Sequence, residues 1–140
     1  MTRLLILLSI LVVACASAKD EHPFSVEAVA SFNEPWALAF LPDGRLLVTE
    51  KKGRLLLVSQ DGATSRPVDG VPEVDYGGQG GFGDVALHPD FAENGLVYLS
   101  YAEAGDNNTR GAAVARGRLT LGDDVATLTD MDVIWRQVPK

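Results

Sequence analysis

The chain has 140 residues, 12 Lys+Arg against 19 Asp+Glu, a formal net charge of −7 and 46% hydrophobic residues. That is length for one domain and apolar content for a packed core, which excludes a disordered chain, while 14 Gly and 7 Pro punctuate it too often for a coiled coil. The acidic balance lacks the clustered cations that release counterions from a phosphate backbone, so nucleic acid is excluded as a partner, and the single cysteine, Cys15, excludes a disulfide scaffold.

Residues 1–18 read as a secretory signal peptide. Arg3 supplies the positive start, and the apolar run from Leu4 to Ala14, broken only by Ser9, is too short for a transmembrane span. Ala16-Ser17-Ala18 offers small residues at a cleavage site before Lys19-Asp20-Glu21, which makes residues 19–140 the expected mature domain. Val12-Val13-Ala14-Cys15 also fits a lipobox, in which Cys15 would become the acylated first residue. Either processing places the mature chain outside the cytoplasm, periplasmic or secreted in one case and anchored through Cys15 in the other.

From residue 24 onward, short apolar or alternating runs rich in Val, Leu, Tyr and Phe predict strands at 24–30, 36–41, 45–50, 54–59, 66–68, 83–87, 96–101 and 112–119. Pro42-Asp43-Gly44, Lys52-Gly53 and Asp61-Gly62 are tight-turn signals, because Pro presets the first turn angle and Gly accepts the positive φ that follows. The strands from 36 to 68 therefore form a four-stranded meander, the unit of one β-propeller blade, although such spacing also suits a sandwich. Phe40-Leu41-Pro42-Asp43-Gly44 before Leu46-Leu47-Val48 is echoed by His88-Pro89-Asp90-Phe91 before Leu96-Val97-Tyr98-Leu99, which favours repeated blades. Asp123-Asp124 and Asp130-Met131-Asp132 read as solvated turns, and no closing element is evident around Val133-Ile134-Trp135. One blade and part of a second cannot close a ring, so the sequence reads as the N-terminal piece of a longer protein.

Tyr76-Gly77-Gly78-Gln79-Gly80-Gly81-Phe82-Gly83-Asp84 packs five glycines into seven positions, a backbone that something approaches closely or that visits positive φ repeatedly. Gly78, Gly80 and Gly83 satisfy G-x-G-x-x-G, with Glu103 where a ribose-binding acid would stand. Pro72 before and Pro89 after deny that motif its strand and helix, so dinucleotide binding is set aside. Gln79 either presents its amide to a polar ligand such as a sugar hydroxyl or is the solvated residue of a connector. His22 lies in the polar segment after the signal, and His88, before Pro89-Asp90, reads as a turn or packing residue. No nucleophile elbow, Walker loop or metal-ligand cluster is visible, and Asp106-Asn107-Asn108 lacks EF-hand spacing.

Taken in order, several segments are familiar together: Pro35-Trp36-Ala37-Leu38-Ala39-Phe40-Leu41-Pro42-Asp43-Gly44, Leu47-Val48-Thr49-Glu50 and Gly53-Arg54. With Gly78-Gln79-Gly80-Gly81, Asp84-Val85-Ala86-Leu87-His88-Pro89-Asp90-Phe91 and Tyr98-Leu99-Ser100-Tyr101, they resemble the soluble quinoprotein sugar dehydrogenases, in the aldose sugar dehydrogenase branch of the glucose/sorbosone dehydrogenase family. The resemblance covers essentially the whole mature chain.

It implies an all-β fold, the N-terminal part of a six-bladed β-propeller, that binds pyrroloquinoline quinone (PQQ) and calcium and oxidises aldoses at C1 to lactones in the periplasm. It implies an external electron acceptor and a possible homodimer. In that chemistry a histidine takes the proton of the anomeric hydroxyl while hydride passes to the quinone. The resemblance assigns Gln79 to the sugar site and His88 to a structural turn. The catalytic base, in a His-x-Gly-Gly-Arg-like motif, and the cofactor and calcium ligands are expected after Lys140, so the fragment alone should be inactive. Two departures stand out: Phe82-Gly83 where the family usually has two leucines, expected to weaken local packing, and Lys51 where arginine often follows Thr-Glu. Two rival readings remain, a calcium-dependent lactonase on a similar propeller and an exported propeller that binds sugars or partners without turnover.

Overall fold

The computed structural model of the chain describes residues 23–122 and 125–140. The signal segment with Cys15, His22 and the turn expected at Asp123-Asp124 lie outside the described residues. Among those described, no helix is long and apolar enough to cross a membrane.

Among the described residues, eight strands form two successive antiparallel meanders. The first comprises β1 (Pro35–Phe40), β2 (Leu46–Glu50), β3 (Arg54–Val58) and β4 (Ser65–Asp69); the second comprises β5 (Phe82–Leu87), β6 (Leu96–Ala104), β7 (Arg110–Leu121) and β8 (Ala126–Arg136). One short helix, α1 (Phe91–Asn94), joins β5 to β6. The outer strands β4 and β8 pair in parallel over only Val68↔Ala126 and Asp69↔Thr127, and the inner strands β1 and β5 lie against each other. These are two consecutive blades of a β-propeller.

Local chemistry closes the hairpins where the turn residues stand. Between β1 and β2 the Gly44 N–H donates to the Leu41 carbonyl (3.0 Å) and the Leu41 N–H to the Arg45 carbonyl (2.8 Å). The Asp43 carboxylate accepts from the Arg45 guanidinium (2.6 Å), and this partner holds its carboxyl below the usual aspartate range. Between β2 and β3 the Gly53 N–H donates to the Glu50 carbonyl (2.9 Å).

Alternation then puts one face of each meander into a shared core. Leu47, Leu55 and Leu57 of the first blade meet Phe82, Val85, Val97, Leu99 and Tyr101 of the second, all buried in one cluster. Burying each such side chain contributes roughly 1.5–3 kcal/mol. The opposite face of the first blade carries Val48, Leu56 and Val58 under Phe32, while Trp36, Leu38 and Phe40 of β1 remain more than half exposed.

Both inner strands carry a bulge at equivalent places. Trp36-Ala37 of β1 stand opposite Thr49, and Gly83-Asp84 of β5 stand opposite Ser100. In each, a hydroxyl accepts the displaced N–H: Ala37 donates to Thr49 Oγ1 (3.0 Å) and Asp84 to Ser100 Oγ (2.8 Å). Thr49, fully buried, also donates to the Gly83 carbonyl (2.8 Å), so one hydroxyl ties the inner strands of the two blades together. The repeat echoed in the sequence is a structural repeat down to this device.

Three expectations are corrected. Residues 24–30 form no strand: Val26 and Val29 are exposed, and β-propensity by itself does not make a ladder. The second blade is complete, because β8 runs through Asp130-Met131-Asp132 where turns were expected. Asp130 there adopts φ 54°, Asp130 and Met131 together oppose Gly117, and a side chain at Gly117 would collide with Met131. A bulge thus carries turn-like residues inside a long strand. Phe82-Gly83, finally, is not loosely packed: Phe82 is fully buried, and a Cβ at Gly83 would lie 2.7 Å from Ser100 Oγ.

Candidate functional site

The connections divide between the two ends of the blades. At one end sit the start of β1, the β2–β3 turn, the long β4–β5 loop and the β6–β7 connection; at the other sit the β1–β2 turn and α1. His88 belongs to the second end, separated from the β4–β5 loop by the length of β5, roughly 15–20 Å. Its Nδ1 accepts the Asp90 N–H (3.0 Å) and lies 2.9 Å from Asn94 Nδ2, and its ring stacks on Tyr98, so it organises the turn into α1.

At the first end the glycine-rich segment folds into a miniature hairpin. Gly77 N–H donates to the Gly80 carbonyl (3.1 Å) and Gly80 N–H to the Gly77 carbonyl (2.9 Å), which leaves Gly78 and Gln79 at the tip. Gly78 takes φ 56° and Gln79 does not, the pattern of a two-residue turn that demands glycine first. Of the five glycines it alone has positive φ; the others serve close approach. A Cβ at Gly81, for example, would stand 2.4 Å from the Lys51 carbonyl oxygen, which accepts the Phe82 N–H (2.8 Å). The segment leads into strand β5 rather than a helix, so it lacks the helix N-terminus on which a dinucleotide's pyrophosphate sits.

Gln79 is exposed, and its amide makes no hydrogen bond among the described residues. Beside it lies a cavity of about 410 Å³ whose lining includes Trp36, Gln79, Gly83, Ser100, Arg110 and Gln137. A larger groove, about 550 Å³, runs over the open face of the first blade, but Val29, Phe32, Leu38, Val48 and Val58 make it apolar and it lacks convergent polar groups.

The charged side chains around the hairpin are engaged. Lys51 Nζ donates to the Gly78 carbonyl (2.8 Å), and Arg110 donates to the Gly77 carbonyl (2.9 Å) while its Nε lies 3.1 Å from Asp75. Lys52 pairs with Glu34 (3.5 Å), and Glu34 also accepts from Tyr76, whose phenol is held above its usual pKa by that carboxylate. Beneath them Glu50, 2% exposed, accepts from the Asn33 N–H (2.7 Å) and from Arg54 (2.6 Å). Each of these cations is committed to the hairpin backbone or to a neighbouring carboxylate. Among the described residues no three His, Cys, Asp or Glu side chains gather as metal ligands.

Sequence reasoning placed Gln79 in this loop and missed what surrounds it. Lys51 drew notice only as a departure from arginine, and Arg110 not at all. The signal was in the glycines themselves, since Gly77 leaves room for Arg110 and Gly81 for Lys51.

The glucose/sorbosone dehydrogenase family profile matches residues 32–140. The aldose sugar dehydrogenase YliI of Escherichia coli is 46% identical over 109 residues, which cover 77% of this chain and 29% of that protein. Among solved structures, a glucose dehydrogenase superposes with a TM-score of 0.71 at 50% identity, over 77% of this chain and 31% of its own. The PQQ-bound aldose sugar dehydrogenase of Streptomyces coelicolor superposes with a TM-score of 0.68 at 29% identity, over 82% of this chain and 34% of its own. The chain thus spans less than a third of the length of its E. coli relative.

Proposed function

The chain belongs to the glucose/sorbosone dehydrogenase family, and from that premise we propose that the intact protein is a quinoprotein that oxidises aldose sugars at C1 to lactones, using PQQ and calcium. The relatives named as sugar dehydrogenases, one of them with PQQ bound, support this reading. PQQ supplies the hydride acceptor when bound; its ligands, the calcium ligands and the catalytic base belong to further blades. An external acceptor takes the electrons, and a homodimer is the proposed assembly. Export by residues 1–18 to the periplasm is part of the same proposal, with lipid anchoring through Cys15 as the alternative address.

The observation that carries this chain's share of the work is the Gln79 hairpin. A neutral amide that both donates and accepts, held at the tip of a pinned turn and free of internal partners, suits a sugar hydroxyl better than an ion. Its role is to bind and orient the substrate; it has no acid–base function.

The test is the intact protein loaded with PQQ and calcium, assayed on a panel of aldoses with an artificial electron acceptor and with lactone as the detected product. Gln79→Ala should raise KM for the sugar by roughly tenfold, the worth of one or two hydrogen bonds, with the melting temperature unchanged. Sugar binding without turnover would instead identify a non-catalytic propeller, and calcium-dependent lactone hydrolysis a lactonase.

A further inference from the structure

We propose that Lys51 and Arg110 are positioning residues that determine where the Gln79 amide is presented, by holding the two carbonyls of its hairpin from opposite blades. The proposal rests on the reading of Gln79 as a sugar-site group.

Only two backbone hydrogen bonds close the hairpin, and a hairpin that small is marginal in water without outside support. The Gln79 side chain contributes none, so its placement follows the backbone of residues 77–80. Two cations hold that backbone. Lys51, from the β2–β3 turn of the first blade, donates to the Gly78 carbonyl, and Arg110, at the start of β7 in the second blade, donates to the Gly77 carbonyl. Both are charge-assisted bonds, the stronger kind.

Each cation is itself aimed. Arg110 is turned by Asp75, and the Lys51 ammonium lies 5.8 Å from the centre of the Tyr76 ring, where the aromatic face attracts it. The glycines admit them: a Cβ at Gly77 would meet an Arg110 nitrogen at 2.4 Å, and one at Gly81 would strike the Lys51 carbonyl. The hairpin therefore straddles the seam between blades, and its tip is referenced to both. A lysine serves at this position because one ammonium suffices for one carbonyl.

The test compares Lys51→Met, Arg110→Met and Lys51→Arg in the intact protein, with Gln79→Ala alongside. Two quantities are read: deuterium exchange of the peptide covering residues 76–81, and the split between KM and kcat for the sugar. Each Met variant should exchange about tenfold faster in that peptide and raise KM by roughly as much, with kcat within about twofold of wild type, while Lys51→Arg restores both. Unchanged exchange in both Met variants would overturn the clamp, as would an unchanged KM where Gln79→Ala raises it. If Gln79→Ala itself leaves KM unaltered, the sugar-site reading fails, and exchange alone then decides whether the clamp exists. Should Lys51→Met fail to fold, Arg110→Met carries the comparison.

Discussion

Replacing Thr49 by valine removes one hydroxyl and almost no volume, at a position with no solvent exposure. That hydroxyl accepts the Ala37 N–H at 3.0 Å and donates to the Gly83 carbonyl at 2.8 Å, so the variant withdraws a partner from one part-buried group in each blade. Stranding a donor or acceptor costs about 1–3 kcal/mol each, which puts Thr49→Val at about 2–6 kcal/mol for the two, a large fraction of the roughly 5–15 kcal/mol that holds a domain folded. Thr49→Ser keeps the hydroxyl and loses a methyl group, about 1 kcal/mol. Urea denaturation of the three proteins, followed by tryptophan fluorescence, gives the ordering directly. A valine variant within about 0.5 kcal/mol of wild type, or a serine variant as unstable as the valine one, would refute the idea that this hydroxyl ties the blades.

Ser100→Ala removes the equivalent bond to the Asp84 N–H and nothing else in the described structure, so it should cost about 1 kcal/mol, clearly less than Thr49→Val in the same denaturation series. Gly81→Ala drives a Cβ to 2.4 Å from the Lys51 carbonyl oxygen and should destabilise by about 1–3 kcal/mol through forced backbone movement. Gly78→Ala has open space around it and should cost only the about 1–2 kcal/mol of its positive φ, which thermal melts of the pair would separate. Glu103 is held below the ordinary glutamate pKa by hydrogen bonds from Arg136 and Lys140. Its folded value lies under its unfolded one, so its stabilisation is present above the unfolded pKa and lost as pH falls through the folded value. Melting temperatures of wild type and Glu103→Gln should therefore differ near neutrality and converge on acidification.

Much of the architecture was legible because its signals are local. Pro42-Asp43-Gly44 and Lys52-Gly53 set their own turn angles, alternation in β6 and β7 decides which of their faces is buried, and β2 and β3 are short apolar runs buried on both faces. The Pro-Asp echo around residues 42 and 89 marked the repeat. Two misreadings share one cause: pairing is not local. Residues 24–30 alternate like a strand and find no ladder, while Asp130-Met131-Asp132 look like a turn and are carried through β8 because Gly117 on the neighbouring strand makes room.

By itself, then, the sequence determined an all-β chain of hairpins, a glycine-rich loop bearing Gln79 and the family to which it belongs. Tertiary structure alone decided that Thr49 reaches the carbonyl of Gly83, 34 residues away, and that Lys51 and Arg110, 27 and 33 residues from their acceptors, meet at one hairpin. Backbone propensity is written in a few neighbouring residues. Which donor finds which carbonyl across a seam depends on how two blades pack, and that follows from the shared core rather than from any short motif.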